Sequence, residues 1–156
     1  MIPAGVRRHM FAIPAIESRV ADARRRTVRV LTSWGLRRHD EETVRLVASE
    51  LITNAVSHAG HLTPFVTVLL ELDGVGRLRI GVRDCHPGPP LSSGSCDDED
   101  VDGRGLMIVE ALLEEYDGGI TIEWHDPGKT VWAVFGPPAR MAPSVAIPRQ
   151  RQVRLG

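Results

Sequence analysis

Glu50-Leu51-Ile52-Thr53-Asn54-Ala55-Val56-Ser57-His58-Ala59 is the stretch whose reading decides the fold. Val44, Val47, Leu51 and Ala55 recur at helical spacing, and Ala48, Ile52, Val56 and Ala59 widen the stripe. The periodicity predicts one long amphipathic helix over residues 40–59. Glu50, Asn54 and His58 follow one another at four-residue steps, so they stack on one helical face. A carboxylate, an amide and an imidazole beside an apolar stripe are costly to bury without partners. A row of this kind is also what a solvated helix face looks like. A nucleotide carrying a divalent metal would partner all three groups, and the rest of the chain decides between the two readings.

Outward from the helix, 156 residues suffice for one domain with a sizeable core. A hydrophobic content of 42% and a charged content of 25% are those of an ordinary globular protein. The net charge of -1 gives no case for binding nucleic acid or an anionic membrane. Of the basic residues, eighteen are Arg and Lys129 is the sole Lys. Cys85 and Cys96 have no clustered His and cannot make a structural zinc site, so both are expected to be reduced thiols. No signal-like or membrane-spanning apolar run is visible, which predicts a soluble, cytoplasmic protein.

Before the long helix, residues 6–14 read as a strand ending at Pro14 and residues 15–34 as a helix. Ile16, Val20, Ala23, Thr27, Val30, Leu31 and Trp34 form its inner face, and Gly35 its stop. Arg19, Arg24, Arg25, Arg26 and Arg29 read as its solvated face. Asp40 is placed as N-cap of the next helix. After it, residues 65–72 and 77–83 read as two strands joined by Asp73-Gly74-Val75-Gly76, a hairpin signal. The second runs straight into Asp84. Residues 87–103 are rich in Pro, Gly, Ser and acids and read as a long functional loop. A helix opens near Gly105 and ends near Asp117, and strands 120–124 and 130–135 follow. The order β, α, α, β, β, loop, α, β, β implies an α+β two-layer sandwich, a mainly antiparallel sheet covered by three helices. Residues 1–136 would be the domain and 137–156 a flexible Pro- and Arg-rich tail.

Four segments thus carry the polar chemistry: Glu50-x-x-x-Asn54, Arg83-Asp84-Cys85-His86-Pro87-Gly88, Gly103-Arg104-Gly105-Leu106 and Gly128-Lys129-Thr130. The last resembles the end of a Walker A loop, but that motif needs Gly where this chain has Glu123, and the segment lies between two strands. As a set, over about residues 10–136, the segments resemble the GHKL ATPase superfamily, and within it the anti-sigma factor serine/threonine kinases. The resemblance implies a histidine kinase-like ATPase fold of the Bergerat type that binds ATP with Mg²⁺. It implies Asn54 as the Mg²⁺ ligand, Glu50 as general base, and Asp84 as acceptor from the adenine amino group, with Thr130 supporting the same base edge through a water. Asp84 would then favour adenine, because guanine presents a carbonyl where adenine presents an amino group. Gly103 and Gly105 allow close backbone approach, and the helix from Leu106 aims free N–H groups at phosphates. Arg104 is placed to add a cation there or to be a surface arginine, and His58 extends the polar row. Residues 89–102 would be the ATP lid, poorly ordered without nucleotide, with Asp97, Asp98, Glu99, Asp100 and Asp102 facing solvent or a partner.

The family's strand motif is Asp-x-Gly-x-Gly; here its third position is His86, and Gly88 and Pro90 keep the pattern only in part. A weaker grip on nucleotide than the family's is expected from that Cβ. The leading reading is an anti-sigma regulator that phosphorylates an anti-anti-sigma antagonist on Ser or Thr and binds a sigma factor, with a homodimer in keeping with the family. The alternative is a catalytically silent, nucleotide-sensing partner-switching module. The catalytic half of a histidine kinase fits worst, since there is no room for a dimerisation helix pair bearing a phosphoacceptor His.

Overall fold

The computed structural model describes residues 5–36, 38–59, 63–86 and 103–136. The expected lid, Gly88, Cys96 and the tail lie outside the described residues. Five strands and three α-helices follow the expected order: β1 (Arg7–Pro14), α1 (Val20–Ser33), α2 (Arg38–Ala59), β2 (Phe65–Leu72), β3 (Leu78–Asp84), α3 (Gly103–Glu114), β4 (Gly119–Trp124) and β5 (Lys129–Val134). The sheet order is β1-β2-β3-β5-β4 and every pairing is antiparallel. No helix of the described residues is long and apolar enough to cross a membrane.

The strands form because apolar side chains fall on alternate positions. Val66, Val68 and Leu70 of β2, Ile80 and Val82 of β3, and Val131 and Ala133 of β5 all point to one face. That face meets Val44, Val47, Ala48, Leu51, Ile52 and Ala55 of α2 and Leu106, Val109 and Leu113 of α3 in one core. The stripe read from residues 40–59 is therefore the inner face of the central helix.

Element ends are set by local hydrogen bonds. A 3₁₀ turn, Glu17–Arg19, precedes α1, so the helix proper begins at Val20 rather than Ala15. Gly35, at φ +94°, closes α1: its N–H donates to the Thr32 carbonyl and that of Leu36 to the Leu31 carbonyl. The same pattern ends α3, but there the left-handed residue is Asp117 (φ 54°), with Gly118 N–H donating to the Leu113 carbonyl. Asp40 is not the N-cap of α2, because the helix already starts at Arg38. Its carboxylate instead accepts from the Tyr116 hydroxyl at 3.2 Å, tying the start of α2 to the end of α3. In the β2–β3 hairpin, the Asp73 carboxylate accepts from the N–H of Val75 and of Arg77, which holds Arg77 in the turn and starts β3 at Leu78.

On the face of the sheet away from the helices, Trp132 packs against Gly81, with the Arg79 guanidinium 4.1 Å from its ring centroid and Glu123 accepting from its Nε1–H. A Cβ on Gly81 would fall 2.6 Å from a ring carbon. Gly81→Ala is therefore expected to cost about 1–3 kcal/mol, measured by urea unfolding. A loss too small to resolve would mean the ring is free to move aside.

Candidate functional site

The polar row of α2 borders the core. Asn54 is 8% exposed, and its Oδ1 is buried with no hydrogen-bond partner among the described residues. His58, one turn on, has its Nε2 buried and, among the same residues, equally unpartnered. An unmet buried acceptor costs about 1–3 kcal/mol, so a folded protein keeps one only where something else satisfies it. An amide oxygen is a hard donor of the kind Mg²⁺ takes, and Mg²⁺ is held by one or two protein ligands, its remaining positions going to water and phosphate. Asn54 fits that role. Among the described residues, no group of three His, Cys, Asp or Glu could hold a metal by itself, so phosphates would have to complete the shell.

One turn before Asn54, half-buried Glu50 reaches the start of α3. A Cβ built on Gly105 would lie 2.2 Å from Glu50 Oε2, so the carboxylate rests against the bare Cα of Gly105. The first turn of α3 is Gly103, Arg104, Gly105 and Leu106, whose N–H groups have no partner within the helix. Free donors and the positive end of the helix are thus brought to the carboxylate. The Leu106 side chain itself lies in the core, 5% exposed, so only its backbone is available to a ligand. Because the clash at Gly105 is with the tip of a flexible side chain, Gly105→Ala is expected to fold normally and push Glu50 aside. If Glu50 is a catalytic base, the variant loses activity by ~10²-fold at unchanged melting temperature. Full activity in a phosphotransfer assay would separate Glu50 from the chemistry.

The third part of the site is at the end of β3. Asp84 is buried, 3% exposed, and on the helix side of the sheet. Its Oδ1 accepts from the His86 N–H at 2.8 Å. Lys129, its cross-strand partner on β5, places Nζ 3.2 Å from both carboxylate oxygens and is itself only 2% exposed. Gly128, at φ +95°, makes the approach of the two strands possible, since a Cβ there would meet the Asp84 carbonyl at 2.0 Å. Beside Lys129 in the same row stands Trp124 of β4, 54% exposed. Nearby, the buried Thr63 hydroxyl accepts from the N–H of Cys85, a free thiol.

Thr130 is not where the sequence reading put it. Side chains alternate along a strand, and with Lys129 facing Asp84, Thr130 points to the opposite face, beside Arg83 and Glu123. Its hydroxyl meets His125 Nε2 at 2.7 Å. The residue that faces Asp84 is Lys129, which the sequence reading passed over. A signal for it was present: Val131, Ala133 and Phe135 are core residues of the same parity, so residue 129 shares their face. Gly103 lies at the head of α3 as expected, while the Arg104 side chain, like Gly88, is outside what is described.

A long helix with Glu and Asn one turn apart, a strand-end Asp and a glycine-opened helix, on a sheet with helices on one side, form one constellation. Residues 13–135 match the histidine kinase-like ATPase domain family. The chain belongs to that family. As an ATPase domain of kinase-like type, it binds ATP. Two solved structures are similar to this ATPase domain. One holds the RsbU and RsbW domains of a Mycobacterium tuberculosis protein, at 20% identity and TM-score 0.61, covering 88% of this chain and 35% of that one. The other is the SiaB–SiaC complex of Pseudomonas aeruginosa, at 13% identity and TM-score 0.51, covering 81% of this chain and 88% of that one. At these identities the likeness shows the fold alone. An uncharacterized Streptomyces coelicolor protein is 39% identical over 64 residues, 40% of this chain, and the ATPase domain matches 60% of that relative's length.

Proposed function

We propose that this ATPase domain is an ATP-dependent protein serine/threonine kinase in a partner switch: it phosphorylates an anti-anti-sigma antagonist and, when the antagonist is withdrawn, holds a sigma factor. The observation that carries the reading is the Glu50–Asn54 turn, an unmet buried amide oxygen next to a carboxylate that touches the first turn of α3. Asn54 Oδ1 would hold Mg²⁺, which would supply positive charge against the charge that develops on the phosphates. The N–H groups at the head of α3 would bind phosphate oxygens. Asp84 would fix the base by its polar edge. Glu50 would accept the proton of the incoming Ser or Thr hydroxyl as its oxygen bonds to the γ-phosphorus and the bond to the leaving ADP oxygen breaks. His58 Nε2, one turn beyond Asn54, would bond a phosphate oxygen. A cytoplasmic location and a homodimer belong to the same reading, since a sigma factor is met in the cytoplasm.

The partner chemistry is supported by the likeness to an RsbW domain and to a protein solved as a complex, SiaB–SiaC. A second reading, a nucleotide-sensing module without phosphotransfer, draws on one observation: the Asp84 carboxylate is already engaged by Lys129. Labelled ATP, with candidate antagonists from the same genome, tests the two. The kinase reading expects acid-stable label on Ser or Thr, abolished by EDTA. If no antagonist is labelled, yet ATP changes affinity for a sigma factor, the module reading replaces it.

A further inference from the structure

Two facing rows of side chains run along the seam between α2 and α3. On α2, Glu42, Leu46 and Glu50 follow one another at four-residue steps. On α3 and the turn that ends it, Gly105, Ile108, Leu112 and Glu115 follow at steps of three and four. The rows are tied at both ends, because Glu50 rests against Gly105 and the Tyr116 hydroxyl donates to Asp40. The two helices therefore run antiparallel. Leu112 is half-buried, while Leu46 and Ile108 are 39% and 46% exposed. The seam is an apolar groove with the proposed base at one end and Glu42 and Glu115 at the other. Both of these acids are exposed, and among the described residues neither makes an ion pair.

The chain leaves the described fold at the acidic end of this groove. Gly136 donates its N–H to the Tyr116 carbonyl. Residues 137–156 carry four Arg, no acid and a single hydroxyl side chain, Ser144. A basic segment tethered beside two unpaired acids is complementary to them in charge, and the tether raises its local concentration so that weak contacts suffice. Arg140 comes four residues after Gly136, within reach of Glu42 and Glu115, and Met141 follows it to meet Leu46 and Ile108. The groove measures about 15 Å from Asp40 to Glu50 at the rise of an α-helix. The chain from Gly136 to Ser144 spans up to about 26 Å when extended, enough to round Tyr116 and bring the hydroxyl to Glu50.

We propose that the groove between α2 and α3 seats residues 140–144 of the same chain, and that Ser144 is a site of autophosphorylation. The Ser144 hydroxyl gives its proton to Glu50 as its oxygen bonds to the γ-phosphorus of ATP, and the bond to the ADP oxygen breaks. Phosphoserine and ADP are the products. The inference rests on the reading of this ATPase domain as a serine/threonine kinase with Glu50 as its base.

The test is incubation of the full chain with Mg²⁺ and labelled ATP, with and without candidate antagonists, followed by mass spectrometry of tryptic peptides. The expected result is one phosphate on the peptide of residues 141–149, absent in Ser144→Ala. Its rate per molecule should not change over a tenfold dilution of the protein, as a reaction within one chain requires. Ile108→Glu, with its fold checked by circular dichroism, places a charge in the groove and should slow the labelling at least tenfold. A labelled antagonist with Ser144 bare overturns the inference and leaves the kinase standing. Label on Ser92, Ser93 or Ser95 in place of Ser144 does the same. A rate that rises with protein concentration, or one unchanged in a folded Ile108→Glu, overturns the seat in the groove. If neither antagonist nor Ser144 is labelled, the kinase reading falls together with the inference.

Discussion

Glu50→Ala is expected to keep ATP affinity near that of the wild type while lowering phosphotransfer by at least ~10²-fold, the span of general-base catalysis. The substitution removes the carboxylate from Gly105 but touches neither Asn54 nor Asp84, which lie on other turns and strands. Among the described residues Glu50 makes no hydrogen bond or ion pair, so little stability should go with it. Asn54→Ala is the contrasting variant: it deletes the buried oxygen proposed for Mg²⁺ and should weaken ATP binding itself. Single-turnover phosphotransfer, paired with calorimetry, resolves the two. Equal loss of binding in both variants would mean that Glu50 acts on the ground state and is not a base.

Asp84→Ala should be the most destabilising polar substitution in the domain. It would strand the Lys129 ammonium, 2% exposed, without a counter-charge. Breaking a buried pair from one side costs about 3–5 kcal/mol, whereas removing both partners is often neutral. The double variant Asp84→Ala with Lys129→Met should therefore recover most of what the single one loses, in a denaturant double-mutant cycle. A single-variant loss below about 1 kcal/mol, the range of exposed pairs, would show that the pair is solvated. This expectation also governs how nucleotide data are read. Lost ATP binding in Asp84→Ala alone confounds recognition with folding, and only the double variant separates them.

The parts of this protein legible in its sequence are those written in a single element. The stripe of α2 gave both the core face and the polar row, because helical periodicity is a property of one segment. Asp84 was legible as a strand end because β3 runs into it without a break. What depended on pairing between segments was not. Which of Lys129 and Thr130 faces Asp84 is a question of register, and a shift of one residue reverses the answer. The family resemblance points to the late-strand Thr130, whereas the parity shared with Val131 and Ala133 puts Lys129 on the face of Asp84. Likewise Asp40 looked like an N-cap, since the Tyr116 hydroxyl that occupies its carboxylate lies 76 residues away. The contact of Glu50 with Gly105 spans two helices separated by two strands, and no spacing rule connects them.

Trp124 gives the site an optical signal of its own. Its indole is half in water and shares a strand row with Lys129 and Asp84, whereas Trp132 is packed on the far face of the sheet. Emission from an exposed indole responds to the polarity and charge around it, so a ligand arriving at the end of this row should shift the fluorescence of the unlabelled protein. The chain thus carries a built-in reporter for nucleotide titrations and stopped-flow kinetics. Trp124→Phe would silence that change and serve as the blank.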